Sequence, residues 1–183
     1  VSSFQAYEHY LQQEAWTWEH QALVRSRAVV GEPAMVGEFN RIRRAVLARH
    51  RDGATLRNEV VEMRAKMRQH LLRGTAEQFD LKQGAGGMTD IEFMAQFLVL
   101  AHAGANPERL TRWSDNVRIF DECVLCDLLS LEEAERLKKS YLAIRDRAHR
   151  CTLSGLTRIV EGSELVAERQ WVSALWQRLL GAA

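Results

Sequence analysis

Apolar side chains recur at steps of three and four residues along most of the chain, the period of helices that bury one face. The clearest case is "TLRNEVVEMRAKMRQHLLRG", where Leu56, Val60, Met63, Met67 and Leu71 form one stripe that ends at Gly74. This stripe predicts a core-facing helix. Upstream, one helix is predicted from about Gln5 to Val29, stopped by "GEP" at Gly31 to Pro33, and a second from Pro33 to about Arg51. Gly ends helices readily, and Pro fits a first helical position because its missing N–H would be unpaired there anyway. Capping residues mark three later starts. These are Ser114 in "RWSDNVRIF", Ser130 with Glu133 in "LSLEEAERL", whose helix should reach about Thr152, and Ser163 before a last helix to about Leu180.

In the middle of the chain the rhythm breaks. "FDLKQGAGG" is short, alternating and glycine-rich, and predicts a brief extended stretch and a turn within residues 79–89. Thr89 and Glu92 then have the spacing of a capping box, so a fourth helix is expected to start at Thr89. From Ile91 to Ala103 it is apolar on almost every side, as a helix in the middle of a domain is. "SGLTRIVEG" reads as a loop. With no fixed-period repeat and no low-complexity tract, the sum is one all-α domain over residues 1–183. It is a helical bundle of about seven helices with a short glycine-rich extended segment.

Composition narrows the classes. Two prolines in 183 residues suit long uninterrupted helices, and 46% hydrophobic content suffices for one fair-sized core. Twenty-five Lys and Arg against 24 Asp and Glu leave a net charge of +1, so no global field holds nucleic acid or an anionic membrane. No apolar run reaches the roughly 18 residues of a membrane span, and "VSSFQAYEHYL" lacks the marks of a signal peptide. The three cysteines, Cys123, Cys126 and Cys151, are an odd number, which suits a reducing, cytoplasmic setting. The Cys-x-x-Cys pair has no second pair or His at ligand spacing and reads as packing. Because the chain begins at Val1, it is expected to be a piece of a longer protein.

Any polyanion site must therefore be local, and one stretch stands out. A glycine-rich turn leading into a helix presents backbone amides to phosphate, which nominates Gly84, Gly86 and Gly87, with Lys82 as a point charge. Asp90 and Glu92 in the first turn either complement and cap the helix or face a divalent cation. Arg64 and Arg68 share a helix face with Arg57, with Lys66 and Arg73 on an adjoining one, and that basic face ends just before the glycine turn. The alternative is a solvated face paired with Glu59 and Glu62. No Asp-x-Asp with an upstream Gly-Ser occurs, so the metal-holding half of a nucleotidyl-transfer site is missing.

"FDLKQGAGGMTDIEF", together with "EAWTWEHQALVRSRAVVGEP", "EVVEMRAKMR" and "LTRWSDNVRIF", resembles glutamine synthetase adenylyltransferase over essentially the whole chain. The likeness is to the extreme C-terminal part, since the family's N-terminal unit tends to carry Arg-Glu where this sequence has Thr89 and Asp90. It implies a helical domain that follows a nucleotidyltransferase domain, in a unit that moves AMP from ATP, with Mg2+, to a tyrosine of glutamine synthetase. It also implies a PII-type signalling protein as regulator. On this reading the catalytic residues lie outside the chain, which is expected to be inactive alone. Two rivals remain at this point. One is a non-catalytic docking or regulatory module for glutamine synthetase or PII-type protein, marked by exposed apolar surface around Trp16, Trp18, Trp113 or Trp171. The other is a helical ribonuclease using Arg44 with His50 or Arg64 with His70.

Overall fold

The computed structural model describes residues 2–181. Among them are nine helices and a two-stranded sheet, so the all-α expectation holds with two helices more than expected. The chain divides into two compact units, Val1–Val60 with Gln96–Leu128, and Val61–Ala95 with Leu129–Ala183.

The first unit opens with α1 (Phe4–Gln13) and α2 (Thr17–Val24), where one long helix was expected. Glu19 is the reason for the break: its carboxylate accepts the Trp16 N–H at 2.9 Å and the Tyr10 hydroxyl, so Trp16 is held extended and α2 starts afresh. Pro33 opens α3 (Pro33–Leu47) at its first position, and α3 stops short of the expected Arg51. Arg51 instead folds back, donating to the carbonyls of Val46 and Leu47 that end α3. Arg43 does the same for α2: buried, it donates to Leu23 and Val24 and to the carbonyls of Thr111 and Trp113. Neither guanidinium meets a carboxylate among the described residues, and burial pushes each down to about 10. A short α6 (Pro107–Leu110), absent from the expectation, precedes α7 (Asn116–Leu125). The cap of α7 is Asp115, accepting the Arg118 N–H, and not Ser114.

Two helices run through the division between units. In α4 (Gly53–Leu71), capped by Asp52 through the Thr55 N–H, Leu56 and Val60 are buried in the first unit as the stripe predicts. Beyond the division, however, Met63 and Met67 are only half-buried and Leu71 is exposed, because Arg64 takes the inward position. The other, α5 (Met88–His102), is buried on nearly every side.

The second unit adds α8 (Leu131–Leu153), whose Ser130–Glu133 capping box forms as expected, with the two reciprocal bonds at 3.1 and 2.9 Å. The predicted loop after it contains β2 (Ile159–Glu161), antiparallel to β1 (Gln78–Asp80) with Phe79 opposite Val160. The last helix, α9 (Val166–Leu180), begins after Leu165 in a left-handed conformation, two residues beyond the expected Ser163 cap. Phe79, Leu81, Ile91, Met94, Leu137, Ile144, Val160 and Val172 are among the side chains of this unit's core.

Candidate functional site

The site grows out of one carboxylate. Asp80, the last residue of β1, is buried and accepts three backbone amides: Arg73 at 3.2 Å, Lys82 at 2.9 Å and Gln83 at 3.0 Å. The chain therefore turns tightly after β1, and the Gly84 N–H closes the turn on the Asp80 carbonyl. Gly84 has no room for a side chain, since a Cβ would fall 2.4 Å from the Phe79 ring. Gly86 has φ +73 and packs against the backbone of α9, where a Cβ would fall 2.2 Å from the Arg169 carbonyl oxygen. The amides are spent as well. Gly86 N–H donates to Asp90 at 2.7 Å, Gly87 N–H to the Gly84 carbonyl, and Met88 and Thr89 N–H to the carbonyls of Leu81 and Lys82. The glycines serve the shape of the turn, and these donors point into it.

That pairing also removes the expected capping box. The helix starts at Met88, the Thr89 amide is taken by the Lys82 carbonyl, and the buried Thr89 hydroxyl has no hydrogen-bond partner among the described residues. Glu92 is half-buried just past the first turn of α5, whose acid is Asp90.

Arg64, Arg68 and Asp90 come together as helical spacing allows, but on each other. Arg64, 1% exposed, donates through Nε to Asp90 at 2.6 Å and through its two other nitrogens to the Gln83 side chain and carbonyl. Burial lowers its pKa, and Asp90 pulls the other way. Arg68, partly exposed, donates to both Asp90 oxygens at 3.1 Å. Asp90 is thus a clamp joining α4 to the glycine turn. A divalent cation would have to displace two guanidinium groups and an amide there, and the described residues contain no group of three or more His, Cys, Asp or Glu placed to hold a metal. The residues present do not fit Mg2+. Nor does a buried, ion-paired Arg64 suit the ribonuclease reading with His70.

Lys82 points elsewhere. It lines a cavity of about 660 Å³ in the second unit together with Arg73 and Arg158. Sequence reasoning found Lys82 and named Arg73 but missed Asp80, Gln83 and Arg158. The usable signal for Arg158 was the alternation in "TRIVE", which marks a strand able to pair with "QFD".

Over residues 1–42 the chain matches the family model described as glutamate-ammonia ligase adenylyltransferase, and over residues 61–157 the one described as GlnD PII-uridylyltransferase. It is 51% identical over 180 residues to the bifunctional glutamine synthetase adenylyltransferase/adenylyl-removing enzymes of Psychromonas ingrahamii and of Mannheimia haemolytica. It is 49% identical over 179 residues to that of Haemophilus ducreyi. Each match covers 98% of this chain and 19% of the relative, so the chain spans about a fifth of their length. On this evidence the chain belongs to the family of glutamine synthetase adenylyltransferase/adenylyl-removing enzymes.

Proposed function

We propose that this chain is the C-terminal helical part of the adenylyl-transferring unit of such an enzyme, moving AMP from ATP to a tyrosine of glutamine synthetase. The observation that carries the reading is the likeness, along 98% of the chain, to enzymes named for that transfer and its reversal. A nucleotidyltransferase domain precedes this chain in the whole protein and holds Mg2+ there, since the carboxylates here do not fit it. A PII-type protein regulates the whole, in the cytoplasm.

In-line nucleotidyl transfer needs cationic help on the triphosphate. Lys82 supplies it from the wall of the cleft, its backbone fixed by Asp80. Arg64, Arg68 and Asp90 hold the turn that carries Lys82, and Gly84, Gly86 and Gly87 let that turn close. By itself the chain transfers nothing. The test is Lys82→Ala in a protein that joins this chain to its nucleotidyltransferase domain. Adenylylation of glutamine synthetase should fall about tenfold or more, equivalent to about 1.4 kcal/mol of lost transition-state stabilisation, with the melting temperature unchanged. Undiminished transfer would sink the assignment.

A second reading, a docking module, draws on the first unit, where Trp16 and Trp18 are 71% and 50% exposed and Val29 and Val30 stand beyond them in the sequence, also exposed. Trp113 and Trp171 favour it less, being stacked under Arg118 and Arg136. Replacing Trp16 and Trp18 by Ser should abolish retention of the chain by immobilised glutamine synthetase or PII-type protein, and full retention would dismiss this reading.

A further inference from the structure

The cavity that Lys82 lines has an unusual charge balance. Arg73, Lys82 and Arg158 all face it, and none of their side chains has a hydrogen bond, ion pair or ring contact among the described residues. The carboxylate in the wall, Asp80, is occupied by three backbone amides and leaves positive charge in excess. In another cavity of the same unit two arginines are paired: Arg147 meets Glu164 at 2.7 Å and Arg150 meets Asp146 at 2.9 Å.

Backbone geometry places the three cations. The ladder sets Asp80 opposite Ile159, and the Leu81 N–H donates to the Arg158 carbonyl at 3.0 Å, so positions 82 and 158 lie at the same end of the two-stranded ladder. Leu81 is fully buried, while the next residue, Lys82, lies in the turn after β1 and lines the cavity. Arg73 is brought in by its own amide, bonded to Asp80. Thr152 and Thr157 also line the wall, the Thr152 hydroxyl donating to the Ala148 carbonyl at 3.1 Å. Two guanidinium forks, an ammonium and the Thr157 hydroxyl can all donate, a set suited to several phosphate oxygens at once.

We infer that this cavity binds the polyphosphate group of a small molecule, held by Arg73, Lys82 and Arg158. The inference deepens the nucleotide reading of Lys82 and rests on it only for the source of the polyphosphate. Titration calorimetry of the 183-residue chain with inorganic pyrophosphate, and separately with ATP, tests it. Pyrophosphate should bind, more weakly as salt is raised, and Arg73→Ala and Arg158→Ala should each lower the affinity about tenfold, with unchanged melting since both side chains are exposed. Competition between ATP and pyrophosphate assigns the group to a nucleotide, and binding of pyrophosphate alone assigns it to the inorganic ion. Failure of both probes to bind, or affinity in both variants undiminished from that of the parent chain, overturns the site. Loss of pyrophosphate binding in Arg158→Ala alongside undiminished transfer in Lys82→Ala would keep this site and remove the nucleotide-cleft reading. The reverse result would remove this site alone.

Discussion

Asp90→Asn keeps the shape of the clamp and removes the charge that two arginines share. It leaves the buried Arg64 guanidinium without a counter-ion, and breaking one side of a buried pair typically costs about 3–5 kcal/mol. Arg68→Ala removes a partly exposed partner and should cost about 1 kcal/mol or less. Urea unfolding at neutral pH checks the order, and equal losses would show that Arg64 is not the member that matters. Gly86→Ala should cost more than the ~1–2 kcal/mol of a left-handed alanine, because the added carbon also meets the Arg169 carbonyl. Gly37→Ala, in α3 with open space around it, should stabilise by about 0.5–1 kcal/mol. Helical spacing was enough to put Arg64 and Arg68 on one face. It could not show that the face turns inward to Asp90, since that depends on how far the chain runs through the Asp80 turn before it re-enters a helix.

Helix starts were legible where both halves of the cap lie in local sequence. Ser130 and Glu133 bond each other as their spacing says, and Ser130→Ala should cost about 1 kcal/mol, read as a shift in the urea midpoint. Thr89 and Glu92 have the same spacing, yet the Thr89 amide is claimed by the Lys82 carbonyl. A tertiary turn outcompeted a local motif there. Glu19, by contrast, caps a helix whose start at Trp16 carries no conventional capping side chain, so the break between α1 and α2 was hidden. The stripe on α4 was half right for a similar reason: apolar period fixes which residues share a face, while Arg64 shows that a buried face need not be apolar if a carboxylate waits opposite.

Across the whole molecule, burial sets both thiol chemistry and acid tolerance. Cys123 is buried and its thiol is pushed up to about 12, Cys151 is buried, and Cys126 is partly accessible. A thiol reagent at neutral pH should label at most Cys126 in the folded chain and all three in urea. His20, whose ring bonds the Leu11 carbonyl at 2.8 Å, and His102 are held below the ordinary value of 6.5 by burial. The unfolded chain therefore takes up these protons first as the pH falls. Stability from this source is full above about pH 6.5 and declines as the pH drops through that value toward the lowered folded pKa. The urea midpoint should fall from pH 7 to pH 5, and His20→Gln should flatten part of that fall.

The last helix carries a further consequence. The Arg169 carbonyl sits against Gly86, its guanidinium lies 4.1 Å over the Phe79 ring, and it donates to the Gly162 carbonyl. A premature stop codon ahead of Val166 would therefore strip the support from a segment encoded far upstream, and truncation alleles in that region should share the phenotype of lesions in the glycine turn itself.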